Sequence, residues 1–224
     1  MQSFRIANLT VTATFESAER ICFILYPFDV LGAWIDDAAR NFGVTIAVIT
    51  GMDWNNDLTP WAAKGVPQGC PDFKGNAPRF LSELTTEVVP EIERRLNIAE
   101  NAERTLTGVS LSGLFTLWQW MTDDTFRNII SLSGSFWYEG FADWIKSRPV
   151  PAGKGRAYFL LGNLEAKTKV RAFQPVQTDT EEIVDYLRSK GIDDCFELVP
   201  GNHYQYGEQR LNRALTWMFP GKTE

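Results

Sequence analysis

The 224-residue sequence predicts an α/β architecture, a three-layer αβα sandwich around a mostly parallel central sheet, on three observations. Short apolar runs such as Ile21 to Leu25 and Asn128 to Leu132 have the character of strands covered on both faces. Those runs alternate with segments of helical apolar spacing, the order of a parallel sheet flanked by helices. Hydrophobic residues make up 44% and charged residues 22%, a globular balance in a length at which α/β chains fold as one domain, here 1–224.

In chain order, Phe4 to Phe15 alternates apolar and polar residues and predicts an edge strand, and Ile21 to Leu25 and Val44 to Thr50 predict buried strands. Gly51 to Pro78, rich in Gly, Pro, Asn, Asp and Trp, is expected to be a long loop of the kind that lines a functional site. Leu81, Leu84, Val88, Val89, Ile92 and Leu96 recur at helical spacing, so a helix is expected from Pro78 to Leu96. Then follow a strand Arg104 to Val109, an apolar helix Leu111 to Met121 and a strand Asn128 to Leu132. The last third predicts a strand Ala157 to Leu161, a helix Asp179 to Lys190 stopped by Gly191, a strand Phe196 to Val199 and a helix Gly207 to Phe219. No repeat, low-complexity segment or lid domain interrupts this order.

Charge excludes some functions. With 22 Lys and Arg against 28 Asp and Glu, a net charge of −6, the chain lacks the basic surface that phosphate backbones require, so no nucleic-acid partner is expected. No apolar run approaches the roughly 20 residues that span a bilayer, and the first residues lack the character of a signal segment, so no membrane partner and a cytoplasmic location are expected. The three cysteines, Cys22, Cys70 and Cys195, are odd in number and widely spaced, which fits inert thiols in a reducing compartment. One His and scattered Cys give no metal-ligand spacing, and no phosphate loop or dinucleotide fingerprint appears, so no metal and no cofactor are expected.

The sharpest local signal is Gly108-Val109-Ser110-Leu111-Ser112-Gly113, where a strand ends and an apolar helix begins. A serine on such a strained turn projects its hydroxyl above the sheet edge, and the residues two before and two after it must be small. Gly108 and Ser112 meet that need, although the literal pattern has Gly at 112. A serine hydroxyl is a poor nucleophile until a base takes its proton, and the chain has one histidine to offer, His203, in the turn Pro200 to Tyr204 before the last helix. Ser, then an acid, then His is the order of the α/β-hydrolase fold. Glu165, in the loop after the strand Ala157 to Leu161, is the candidate acid, with Asp179 its rival and a dyad without a firmly engaged acid the alternative. The N–H of Leu111 is the natural oxyanion donor, and a second is expected from the N–H of Phe28 or Asp29. Aromatics cluster in predicted loops: Trp34, Trp54 and Trp61 early, Phe136, Trp137, Tyr138 and Trp144 later. Trp54, Trp61, Trp137 and Tyr138 are the candidates for substrate binding, with at least two of the wider set expected to border the site.

Several segments resemble the putative-esterase family of α/β-hydrolases, the group containing enterochelin (siderophore) esterases, esterase D and feruloyl esterases. They are Asp57 to Trp61, Phe80 to Leu84, Gly108 to Gly113, Ser133-Gly134-Ser135-Phe136-Trp137-Tyr138, Gly162 to Glu165 and Gly201-Asn202-His203, spread over nearly the whole chain. The resemblance implies a serine esterase with Ser110 as nucleophile, His203 as base and Glu165 at the acidic position, acting on a small-molecule ester. Its siderophore branch implies an iron-carrier lactone whose catechol rings are received by aromatic and basic residues. Here Lys167, Lys169 and Arg171, beside Glu165, are the nearby cations in an acidic chain. A carbohydrate or feruloyl ester and a catalytically silent binding module are the alternatives; the oligomeric state leaves no trace in the sequence.

Overall fold

The computed structural model describes residues 1–28 and 32–221. The chain opens with a hairpin, β1 (Gln2–Ile6) and β2 (Leu9–Thr14), followed by β3 (Arg20–Leu25), α1 (Gly32–Phe42) and β4 (Thr45–Thr50). A small antiparallel pair, β5 (Ala62–Ala63) and β6 (Phe73–Lys74), precedes α2 (Ala77–Glu83) and α3 (Val89–Leu96). Then come β7 (Glu103–Val109), α4 (Leu111–Trp120), β8 (Asn128–Leu132), α5 (Phe141–Lys146), β9 (Arg156–Gly162), α6 (Val176–Ser189), β10 (Asp193–Val199) and α7 (Gly207–Met218). The main sheet runs β1-β2-β4-β3-β7-β8-β9-β10. It is parallel from β4 to β10, with β2 antiparallel to β4.

Side chains alternate across the strands, and both faces are apolar. Ile21, Phe23 and Leu25 join Leu106, Ile129 and Phe159 in one core, which Phe80, Ile92, Leu114, Phe141 and Ile183 cover from α2 to α6. Cys22 and Ile24 join Ile130, Leu132, Tyr158 and Leu160 in the other, covered by Ile35 and Ala38 of α1 and Leu211 and Leu215 of α7. Each such side chain contributes roughly 1.5–3 kcal/mol of burial free energy, and the two cores hold the sheet rigid between its helical layers. Every residue of α4 is buried, which explains why it is largely apolar and carries no charge.

The structure departs from the sequence reading in several places. The segment expected as one edge strand folds back on itself at Ala7, whose φ of 49° makes the turn. α1 and α5 were not anticipated. β10 begins three residues earlier than expected and α6 likewise begins at Val176, ahead of Asp179. The expected helix Pro78 to Leu96 carries a π-helical turn, Leu84–Val88, where Val89 N–H donates to the Leu84 carbonyl. Pro90, without an N–H and with a ring that excludes the carbonyl four residues back, accounts for the wider turn. The expected long loop contains β5 and β6; its stretch 56–59 is held by buried polar groups, Asp57 accepting from Asp53 N–H and from Arg79, while Gly51, Met52 and Trp54 border a cleft.

Candidate active site

The carboxyl ends of β3, β4, β7, β8, β9 and β10 converge on one edge of the sheet, where loops collect functional groups in open α/β folds. Ser110 stands between β7 and α4 with φ 59° and ψ −122°, a strained conformation for a residue bearing a Cβ. The strain is held from both sides. A Cβ on Gly108 would lie 2.1 Å from the Ser112 carbonyl oxygen and 2.6 Å from Thr116 Oγ1, and one on Gly113 would lie 2.8 Å from Ser131 Oγ. Ser112 is more than a tolerated substitute for glycine: its buried hydroxyl accepts from Val109 N–H at 2.7 Å and lies 2.8 Å from the Leu25 carbonyl, tying the turn to β3. Replacing Gly108 with Ala is expected to force the turn open at a cost of about 3 kcal/mol, lowering the melting temperature by about 8 °C. A melting temperature unchanged within about 2 °C would show that α4 slides away freely.

His203, in the turn after β10, places Nε2 3.0 Å from Ser110 Oγ and Nδ1 2.8 Å from Glu165 Oε2. Glu165 follows β9 and is buried. Its Oε1 accepts from Gly162 N–H at 2.7 Å, from Ser133 Oγ at 2.7 Å and from Arg210 Nη1 at 3.0 Å. Burial alone pushes the Glu165 carboxyl up, but the bonds from His203, Ser133 and Gly162 outweigh it and hold the carboxyl below its usual range. Gly162 is required here, because a Cβ would meet the Gly201 carbonyl at 2.4 Å and Arg210 Nη2 at 2.6 Å. The hydrogen-bond pattern assigns the proton on the neutral imidazole to Nδ1, leaving Nε2 as the acceptor facing Ser110.

Ser133 and Arg210 escaped the sequence reading. Arg210, 4% exposed, also donates to Ser133 Oγ at 2.7 Å and to the Asn202 carbonyl at 2.8 Å, linking the acid to the His203 turn. The signal available was a cation on the apolar stripe of α7, in line with Leu211, Ala214, Leu215 and Met218.

Asp179 does not reach this group. It lies in the first turn of α6, where burial first, then Glu182 and Asp143 against the opposing Lys146, push its carboxyl up to about 6. Because its folded pKa exceeds its unfolded one, Asp179 weakens the fold progressively as pH rises from about 4 to 6 and fully above that. Asp179→Asn is therefore expected to stabilise the protein by about 1 kcal/mol at pH 8, after discounting for solvent screening and the favourable helix N-terminus, with the gain vanishing near pH 4. Thermal melts of the two proteins across that range check both the sign and the window.

Two clefts meet at Ser110. The first, about 530 Å³, is bounded by Phe28, Met52, Trp54 and Leu211; the second, about 500 Å³, by Trp137, Leu164, Lys167 and Phe173. Ser110, Ser133, His203 and Tyr204 border both. Trp54 and Trp137 thus face the clefts, whereas Trp61 and Tyr138 do not. A buried indole or phenol needs an acceptor, and these two find backbone carbonyls inside an aromatic cluster, Trp61 Nε1 donating to Glu139 and Tyr138 Oη to Trp61. That cluster includes Phe141 and Trp144. Of the three nearby cations, Lys167 lines the second cleft and Lys169 and Arg171 do not. α4 begins at Leu111, so its first N–H groups have no partner within the helix and point toward the Ser110 turn. Phe28 borders the first cleft, and Asp29 lies outside the described residues. Among the described residues no His, Cys, Asp and Glu cluster has metal-ligand geometry, and no helix is long and apolar enough to cross a membrane.

The model of the family described as "Putative esterase" matches residues 29–218. The chain is 29% identical over 182 residues to the uncharacterized protein YbbA of Bacillus subtilis, covering 77% of this chain and 73% of that one. Among solved structures it is similar to an IroE-like serine hydrolase from Shewanella oneidensis, with a TM-score of 0.77 at 18% identity over 94% of this chain and 75% of that one. It is also similar to the enterobactin and salmochelin hydrolase IroE, with a TM-score of 0.73 at 20% identity over 98% and 94%. The fold is that of the α/β-hydrolases.

Proposed function

The chain belongs to the putative-esterase family, and on that premise we propose that it hydrolyses carboxylic esters of small molecules through a covalent acyl-enzyme on Ser110. The observation that carries this reading is the continuous hydrogen-bonded line from Ser110 Oγ through His203 to Glu165, at 3.0 Å and 2.8 Å. His203 Nε2 takes the hydroxyl proton as Oγ attacks the ester carbonyl. The negative oxygen that develops is met by the Leu111 N–H, with Phe28 N–H as the second donor. Collapse of that intermediate breaks the bond to the alcohol oxygen, which leaves with the proton from His203. Water then enters, gives its proton to Nε2 and releases the acid, restoring Ser110. Glu165 holds the Nδ1 proton in place and offsets the imidazolium charge in each half-reaction.

Aromatic and apolar walls in both clefts, with Trp54 in one and Trp137 beside Phe173 in the other, favour esters carrying ring or acyl groups over compact polar ones. A siderophore lactone is the favoured physiological class, on the likeness to IroE, an enterobactin and salmochelin hydrolase. Three free cysteines fit a cytoplasmic setting. Hydrolysis of a panel containing a catechol trilactone, a feruloyl sugar ester and simple aryl esters tests the reading. Preference for the trilactone is expected, preference for the feruloyl ester would move the substrate to the plant-phenolic class, and binding without turnover of any ester would indicate a silent binding module.

A further inference from the structure

Resting on the hydrolase reading above, we infer that Tyr204 is a substrate-positioning residue that selects esters carrying an apolar group on both the acyl and the alcohol side. Tyr204 follows His203 directly and stands edge-on to it, ring centroids 5.2 Å apart at 88°. Its backbone is fixed, its N–H donating to Asn202 Oδ1 at 3.0 Å while Asn202 N–H donates to Gln205 Oε1 at 3.0 Å. Its side chain has no comparable anchor among the described residues and is 93% exposed. The ring stands in water on an ordered turn, and the surfaces beside it are the two clefts that meet at Ser110, both of which it borders.

The rest of the rim follows the same pattern. Phe28, 64% exposed, borders the first cleft, and Leu164, 43% exposed, borders the second. Phe28, Tyr204 and Leu164 therefore set an apolar border on each side of the nucleophile, with Tyr204 the member common to both. An ester bound with one arm in each cleft would lay its reacting carbonyl beneath the Tyr204 ring and bring Phe28 and Leu164 against its two arms. An ester with a small group on either side fills one cleft only and leaves Tyr204 in water. The ring would act by holding the substrate, not by transferring a proton, because the proton of Ser110 already has its acceptor in His203 Nε2 at 3.0 Å.

The test compares phenyl 3-phenylpropanoate, aromatic on both sides, with ethyl acetate, aromatic on neither, in the parent protein, Tyr204→Ala and Tyr204→Phe. In Tyr204→Ala the ratio of kcat/KM for the two-armed ester over ethyl acetate is expected to fall about tenfold, the scale of one aromatic contact, chiefly through a higher KM. Tyr204→Phe should hold the ratio within about twofold of the parent, since the ring and not the hydroxyl makes the contact. Equal losses on both esters in Tyr204→Ala would mean that the ring only supports His203, and no change on either would mean that substrate does not touch it; each overturns the inference. Failure of the hydrolase reading is distinguishable, because it appears in the parent protein as absent turnover and absent labelling of Ser110, before any Tyr204 variant is made.

Discussion

Replacing Ser110 with Ala is expected to lower kcat toward esters by about 10⁶-fold, to background, while leaving the fold intact. The size follows from what the hydroxyl alone supplies, namely the oxygen that becomes acylated; without it the Leu111 N–H and the clefts still bind substrate but no covalent path exists. Folding should survive because, among the described residues, Ser110 Oγ hydrogen-bonds only to His203 Nε2 at 3.0 Å and Ser135 Oγ at 3.4 Å, both beside the clefts. The unusual backbone at residue 110 is imposed by Gly108, Ser112 and Gly113 and strains alanine no more than serine, since both carry a Cβ. Activity on a freely soluble aryl ester and the melting temperature, measured on the same preparation, check both halves. Retention of a tenth of the parent activity would remove Ser110 from the reaction.

Glu165→Gln is expected to be the second largest loss, about 10⁴-fold in kcat, with a loss of stability alongside. The amide keeps the shape but turns one acceptor into a donor. If its oxygen stays toward Gly162 N–H, Ser133 and Arg210, its NH₂ faces His203 Nδ1, and the imidazole must switch its proton to Nε2, the atom needed free for Ser110. If it turns the other way, Arg210 loses its acceptor on residue 165. In either case the buried Arg210 charge has no counter-ion, at a cost of about 3 kcal/mol. The pH dependence carries a separate sign. A carboxylate whose folded pKa lies below its unfolded value gives stability that is complete above the usual carboxylate range and is lost as pH falls through the folded value. The parent protein should accordingly weaken at acid pH, and Glu165→Gln should lack that component of the decline. Urea melts at several pH values, with kcat on the same samples, would expose an account in which the acid is incidental: parent-like turnover in the variant.

How much of this was legible in the sequence depends on how local the cause is. The Ser110 turn shows itself because sterics within six residues demand Gly108 and Gly113, and a short apolar strand and helix flank it. His203 stands out as the only histidine, in the turn after the last strand, and Glu165 by its place in the Ser, acid, His order. Of the Arg210 and Ser133 support of Glu165, only a cation on the apolar stripe of α7 was legible; which groups it meets was not, since the contact joins residues from three separate segments. The aromatic set divides for the same reason: Trp54 and Trp137 open on the clefts while Trp61 and Tyr138 pack inward, and which way each ring turns is decided by the location of Glu139, Trp61 and their carbonyls, not by sequence neighbours. α5, six residues long, is too short for helical periodicity to appear, and the hairpin turn at Ala7 uses a residue type with no turn signature.

The central claim, that Ser110 is an activated nucleophile and His203 its base, is tested most directly by treating the protein with a fluorophosphonate probe and mapping the labelled peptide by mass spectrometry, with His203→Ala as control. The account predicts a single adduct on Ser110 in the parent protein and its loss in the control, because an unassisted serine hydroxyl is too weak a nucleophile to react. A folded parent protein that takes up no label, or labelling of Ser110 that persists without His203, would contradict it.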